Sequence, residues 1–334
     1  MLTEGCSPLF HPAACAGPVA DLFNEAMPAE TSQWFSALHD LGREPQAVVG
    51  AGMEGTVVAL ADGSIVKVWH RRARQELETL EIFYDAVGAA GLSFAVPEIV
   101  EVLWLADRWA TVEVRLEGQP LWQAPGVSPP LDVSQVEAIV AVLAALADVR
   151  PTPDMAILPV LEDEAAFDAS APFAASLAAL VKSRAAKHEA ALAARLADLD
   201  ALVAAVIDHL GRLSPVPPAL VHGDLVPQNI LAANGHPTAV LDFGFLSTIG
   251  DPSFDAAITA SISDMYGPAA AHSEARLDEA VIARFGYEPA RLATYRAAYA
   301  LATANCFSAS GSDGHFEWCM RVLERPSVRE ALGR

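Results

Sequence analysis

The sequence predicts an α+β fold in two lobes: a small N-terminal lobe holding a five-stranded antiparallel sheet and one helix, and a larger, mainly helical C-terminal lobe. Three observations predict it. Five strand-like runs, broken by turn signals, crowd into residues 46–116 around a single helical period. A Pro/Gly-rich connection, PLWQAPGVSPPLDVS, follows from Pro120. Long Ala-rich helical periods fill most of what remains. The chain's 334 residues can bury a sizeable core and suit two lobes better than one.

In chain order, residues 1 to about 30 are rich in Ala and Pro and read as irregular. SQWFSALHDL (Ser32–Leu41) sets Trp34, Phe35, Leu38 and Leu41 at helical spacing, a short amphipathic helix. Three strands follow in QAVVGAG, GTVVALA and SIVKVW, the last two separated by the hairpin signal Asp62-Gly63. A helix from about Ala73 to Ala90 places Leu77, Leu80, Phe83, Tyr84 and Val87 on one face, with Gly91 ending it. EIVEVLWLA and WATVEVRL complete the sheet across Asp107-Arg108. Beyond Gly118 the pattern turns helical. Its clearest period runs through Leu192, Leu196, Leu199, Val203, Val206, Leu210 and Leu213, closed by Pro215. Two short strands, LVHGD and AVLDF, interrupt the helices. The expected division is an extension over 1–40, a nucleotide-binding lobe over 41–118 and a catalytic and substrate lobe over 119–334.

Composition excludes several classes. A formal net charge of −21 repels a phosphate backbone, so no nucleic-acid partner is expected, although a cationic substrate would be attracted. The most apolar windows, VEAIVAVLAALADV and LDALVAAVIDHL, are interrupted by charge and fall short of the roughly 18–20 residues of a membrane span. Glu4, Pro8 and Pro12 occupy the N-terminus where a signal peptide would carry basic and then apolar residues; the expectation is a cytoplasmic protein. The four cysteines, Cys6, Cys15, Cys306 and Cys319, form no CxxC pair, which argues against a disulfide framework. His11 between Cys6 and Cys15 makes a metal site conceivable, but reduced thiols in a loose segment are the preferred reading.

The chemistry is carried by a constellation. Gly50-Ala51-Gly52-Met53-Glu54-Gly55-Thr56-Val57 is a GxGxxGxV loop between the first two strands. Such glycines let backbone amides approach phosphate oxygens, and a tight hairpin also needs them. A strand rather than a helix follows, against a dinucleotide fold. Lys67, in the next strand, lies one hairpin away and is placed to reach back toward phosphates. Of Glu76, Glu78 and Glu81 on the following helix, Glu76 is the preferred partner because it shares a face with Leu80 and Phe83; Glu81 stays open. Further on, VHGDLVPQN and LDFG supply two Asp and an Asn. Phosphoryl transfer needs positioning, charge neutralisation and a group to orient the attacking hydroxyl. Asp224 can accept that hydroxyl's proton, Asn229 and Asp242 can ligate Mg²⁺ through oxygen, and His222 can brace the loop. Singly, each has a plainer role as turn former or cap. Their agreement with the glycine loop and Lys67 is harder to dismiss.

HxDxxxxN, a DFG-like triplet, a glycine loop and a strand lysine together resemble the protein-kinase-like signature. HGDLVPQN, with Gly where protein kinases carry Arg, resembles the aminoglycoside phosphotransferase family of small-molecule kinases, as do LEGQPL (Leu116–Leu121) and GDPSFDAA (Gly250–Ala257). The resemblance covers about residues 45–260. It implies a bilobal protein-kinase-like fold, ATP as phosphate donor and Mg²⁺ as metal. It also implies Asp224 as base, Asn229 and Asp242 as metal ligands, Lys67 as phosphate contact, the backbone at Val114 and Leu116 as adenine hinge, and Asp255 as a brace of the catalytic loop. No counterpart of an activation segment or APE signature is present, against a protein substrate. The acceptor is expected to be a small hydroxylated molecule, an aminoglycoside or amino sugar being one candidate. Asp264, Asp313, Glu317 and Glu324 are available to ammonium groups, and Tyr266, Tyr295, Tyr299, Phe316 and Trp318 can line a pocket or fill the core. The alternatives are kinase action on a macrolide or another metabolite, or a nucleotide-binding regulatory module without catalysis. ATP over GTP and the oligomeric state stay open.

Overall fold

In the computed structural model of the chain, which describes residues 29–52, 54–122, 130–161 and 164–334, helix α1 (Ala29–Asp40) comes first. Cys6, His11, Cys15 and Met53 lie outside the described residues. The strands β1 (Pro45–Ala51), β2 (Gly55–Leu60) and β3 (Ile65–Trp69) precede helix α2 (Arg74–Gly88), and β4 (Ile99–Leu105) and β5 (Arg108–Glu113) follow it. They form one five-stranded antiparallel sheet in the order β1-β2-β3-β5-β4. Asp62-Gly63 makes the expected hairpin: Gly63 takes φ +89° and the Asp62 carboxylate accepts the Ser64 N–H at 2.9 Å.

Alternation gives the sheet two unlike faces. Val58, Leu60, Val66, Val68, Ala110 and Val112 bury against Trp34 and Leu38 of α1, a small core of their own. Lys67 pairs in register with Thr111, so Lys67, Trp69, Thr111 and Glu113 share the opposite face, toward the second lobe. The buried stripe of α2, Leu77, Leu80, Phe83, Tyr84 and Val87, is the one its helical period predicts, and it belongs to the main core with the C-terminal lobe. The helix ends at Gly88, two residues before the expected end.

The second lobe opens with the short β6 (Gln119–Pro120) and α3 (Val133–Ala147), started by a capping box at Asp132 and Gln135. After a 3₁₀ turn at Pro153–Ala156 come α4 (Phe173–Lys187), α5 (Glu189–Ala193) and α6 (Leu199–Arg212). Here the structure corrects the sequence reading. The period Leu192–Leu213 is not one helix but two, broken over residues 194–198. Leu192, Leu196, Leu199, Val206 and Leu210 are buried and Val203 and Leu213 half-buried, with Leu202 buried in addition, so the apolar spacing largely survives the break. What the period could not show is that Asp198, where the chain turns, binds Arg329 at 2.6 Å and Arg334 at 3.1 Å from the distant C-terminus.

The strands β7 (Ala219–Val221), β8 (Ile230–Ala233), β9 (His236–Val240) and β10 (Thr248–Gly250) then build two small ribbons, β7 with β10 and β8 between β6 and β9. The helices α7 (Pro252–Ile262), α8 (Ala270–Phe285), α9 (Pro289–Thr303), α10 (Gly314–Glu324) and α11 (Pro326–Ala331) complete the chain. α9 is buried nearly all round, which its Ala content permits. No helix among the described residues is long and apolar enough to cross a membrane.

Candidate active site

The segment from β7 to β9 brings Asp224, Asn229 and Asp242 to one place. Strand β7 ends at Val221, and Gly223 turns the chain at φ +81°. A Cβ on Gly223 would lie 2.4 Å from that of Leu246, so only glycine fits between His222 and Asp224. A 3₁₀ turn, Pro227–Asn229, carries Asn229 back toward Asp224, whose backbone oxygen accepts from Asn229 Nδ2 at 3.0 Å. That bond directs the amide oxygen the other way. Ile230 pairs with Val240, and Leu241 N–H donates to Asn229 O at 2.8 Å, so Asp242 emerges beside Asn229. Asp242 has left the strand and sits in the left-handed region at φ +55°, with its side chain 53% exposed to the cleft.

Two buried groups hold this loop. His222 Nε2 donates to Leu241 O at 2.8 Å while its Nδ1 accepts the Asp224 N–H at 3.2 Å, a pattern that requires the neutral ring. Burial lowers the His222 pKa to about 4, in agreement. Asp255 accepts the N–H groups of His222 at 2.6 Å and Gly223 at 2.7 Å. It is carried by α7, whose N-cap Asp251 accepts from Tyr295 at 2.5 Å and pairs with Arg291. Burial raises the Asp255 pKa to about 6, against the lowering effect of those two bonds. Asp224 is raised to about 7, by burial first and then by Asp242, Glu54 and Asp255.

Lys67 reaches Asp242 at 3.2 Å and Glu54 at 3.1 Å, with Nζ 4.0 Å from the ring centre of Trp69. Burial opposes its charge, but Asp242, Glu54 and Glu113 outweigh that and hold the ammonium above the ordinary lysine value. Glu76 is not its partner here, which corrects the expected pairing. Glu76 stands at the third position of α2, accepts the Ala73 N–H at 2.6 Å and faces Arg72 at 3.6 Å. Being on the right helix face was not enough, because the position is also a capping position. The residues that sequence reasoning missed are Glu54, Arg72 and Glu113. Glu54 bridges Lys67 and Arg72, the latter at 3.2 Å. Glu113 lies buried beneath Lys67, accepting at 2.5 Å from Thr111, which accepts from Trp69 at 3.0 Å. Glu54 was in view as the charged member of the glycine loop; Glu113 could be found only from the strand register.

The glycines divide in their reasons. Gly55 is required by packing, since a Cβ there would lie 2.4 Å from Val68 O on β3. Gly50 and Gly52 meet no such obstacle, and Gly52 N–H is engaged in the turn with Gly55 O at 2.9 Å. Val114 and Leu116 lie just past β5, outside the strand, and Val114 N–H donates to Glu98 O at 3.1 Å.

The family model described as "Phosphotransferase enzyme family" matches residues 46–295. The chain belongs to that family. Its solved structural neighbours are of low identity. A thermostable mutant of aminoglycoside phosphotransferase APH(4)-Ia in ternary complex with ADP and hygromycin B aligns with a TM-score of 0.66 at 16% identity, over 87% of this chain and 96% of that one. The apo form of such a mutant gives 0.62 at 18%, over 90% and 100%. Macrolide 2'-phosphotransferase MphH from Brachybacterium faecium gives 0.57 at 18%, over 87% and 98%. At these identities the likeness establishes the kinase-like fold. No curated protein sequence matches the chain.

In this phosphotransferase the Asn229 amide oxygen and the Asp242 carboxylate are the hard oxygen donors a small divalent cation takes. Among the described residues no group of three or more His, Cys, Asp or Glu could hold a metal alone, so the rest of a shell there would come from phosphate and water. On the acceptor side the structure sorts the sequence candidates. Tyr295, Tyr299, Phe316 and Trp318 are core. Tyr266 is 40% exposed, its hydroxyl pushed up by burial and then by Cys319, Asp313 and Asp224. Glu317 is paired with Arg195, Asp264 is buried at the end of α7, and Glu324 is exposed on α10. Asp313 caps α10 through one oxygen, at 2.9 Å from Phe316 N, and its other oxygen has no hydrogen-bond partner among the described residues. Phe307, half exposed, stacks on Phe245 at 6.3 Å, an aromatic pair the sequence reading did not name.

Proposed function

We propose that the protein transfers the γ-phosphate of ATP to a hydroxyl of a small molecule, with Asp224 as the base. The observation that carries this reading is the convergence of Lys67 on Asp242 at 3.2 Å across the two lobes, beside Asn229 and Asp224. Groups so far apart in sequence meet where a triphosphate and its metal would be held. Asp224 takes the proton of the acceptor hydroxyl as its oxygen bonds to phosphorus and ADP leaves. Asn229 and Asp242 would hold Mg²⁺, which spreads the charge of the phosphates when bound. Lys67 contacts phosphate oxygen. The glycine loop at Gly50, Gly52 and Gly55 covers the phosphates, and the backbone near Val114 and Leu116 receives the base. His222 and Asp255 keep the loop in shape; the neutral ring of His222 suits support rather than proton transfer.

For the acceptor we infer an amino sugar or aminoglycoside, on the acidity of the chain as a whole. A second reading, a macrolide or other apolar-faced sugar, is favoured by the exposed Phe307 and Tyr266 and by the engagement of Glu317 with Arg195. Reduced thiols and ATP dependence fit the cytoplasm. A coupled ADP-release screen over aminoglycosides, macrolides, amino sugars and small alcohols tests activity and acceptor class together. Asp224→Asn should keep nucleotide binding and lower turnover roughly 10²–10⁴-fold, the range for a lost general base. Equal turnover in variant and parent removes Asp224 from the mechanism. Tight nucleotide binding with no acceptor turned over across the panel would instead favour a regulatory module.

A further inference from the structure

We propose that Arg72 is a second cation for the nucleotide's phosphates beside Lys67, and that Glu54 is the carboxylate those phosphates displace. The proposal rests on the phosphotransferase reading above. Glu54 uses separate oxygens for the two cations, Oε2 at 3.1 Å from Lys67 and Oε1 at 3.2 Å from Arg72. A carboxylate bridging an ammonium and a guanidinium is an anion in the geometry a phosphate group would take. It sits on the glycine loop with its side chain 36% exposed, so it can leave to water without leaving a buried charge behind.

Arg72 is placed to stay. Its guanidinium lies 5.8 Å from the ring centre of Trp69 and 3.6 Å from Glu76, which is itself fixed as a helix cap. Its Nη2 lies 3.9 Å from where a Cβ on Gly244 would stand, two residues past Asp242. The guanidinium therefore spans the gap between the glycine loop and the Asp242 segment, which phosphates held by both must cross. Charge balance asks for the exchange. Lys67 and Arg72 face Glu54, Asp242 and Glu76 with Glu113 buried behind them; a divalent cation would offset Asp242, whereas Glu54 would still stand between the two cations against incoming phosphate.

The test is calorimetric binding of ATP and AMP, with magnesium, to the full chain and to Arg72→Gln, Glu54→Gln and the double variant. Arg72→Gln should weaken ATP about tenfold, as for a lost charged hydrogen bond, and leave AMP unchanged. Glu54→Gln should tighten ATP and not AMP. The two effects should add only in part in the double variant, since Glu54 competes for Arg72 as well as for Lys67. Should Arg72→Gln fail to fold, Arg72→Lys, which keeps the charge and loses the fork, should show a smaller loss with the same dependence on phosphate number. Unchanged ATP affinity in the Arg72 variants, equal losses for ATP and AMP, or weaker ATP binding by Glu54→Gln would overturn the proposal while the parent chain still binds ATP. A parent chain that binds no nucleotide would overturn the phosphotransferase reading and this proposal together.

Discussion

Gly223 shows how one residue type follows from one contact. Its φ of +81° is open to glycine at little cost, and Leu246 occupies the place a side chain would need. Gly223→Ala should therefore lower thermal stability and turnover together, with a conformational cost of about 1–2 kcal/mol before the clash with Leu246 is counted. A variant as stable and active as the parent would show that the turn relaxes freely. His315 offers a separate test at this scale. It is buried, within 3.0 Å of Thr303 and 3.4 Å of Cys319, and burial lowers its pKa to about 4. The unfolded chain would take up a proton near pH 6.5 that the folded chain refuses until about pH 4, so this contribution is full above 6.5 and lost as pH falls through that window. His315→Gln should cost stability at pH 7, and its deficit against the parent in urea unfolding should shrink toward pH 4. A deficit that stays constant would mean the ring takes up its proton in the fold as readily as in the unfolded chain. That Asp224, Asn229, Asp242 and Lys67 would come together was legible in the sequence, because phosphoryl transfer restricts residue type and spacing. The partner of Lys67 was not, because ion pairing depends on which loop folds over the strand, and helix-face arguments cannot see a loop.

At the scale of elements, periodicity served well wherever one face alone is buried. The five strands, α2 and its stripe follow from it directly. It misled at Leu192–Leu213, where a break preserved the apolar spacing and was held by ion pairs from residues more than a hundred positions away. It gave α1 as a short amphipathic helix over 32–41 but not what that helix covers. That helix, assigned to an extension of open role, covers the outer face of the sheet with Trp34 and Leu38, both buried, and Trp34 Nε1 donates to Asp107 at 3.4 Å. Trp34→Ala should cost about 3–5 kcal/mol, the usual range for emptying such a site. Because that core is separate from the main one, the loss should be read first as early hydrogen exchange across β2 and β3. Protection that falls uniformly in both lobes would show that the two cores unfold as one.

Under the proposed function, the net charge of −21 over the whole molecule opposes the approach of ATP, while Lys67 and Arg72 would attract it at close range. The association rate of ATP should therefore rise as salt is added from low ionic strength to about 0.15 M, where the screening length is about 8 Å. A falling rate in stopped flow would mean that the local cations dominate the encounter. For a cationic acceptor the sign reverses, so opposite salt responses of the two substrates would separate an amino sugar from a neutral one.

The two cores carry a mechanical corollary. α2 is embedded with the C-terminal lobe while α1 backs the outer face of the sheet, so a widening of the cleft would have to slide the strands against α2 and draw Trp69 and Ile99 from the main core. Lys67 would then travel with the sheet and Glu76 stay behind, so the distance between strand lysine and helix carboxylate measures how far the jaw has swung.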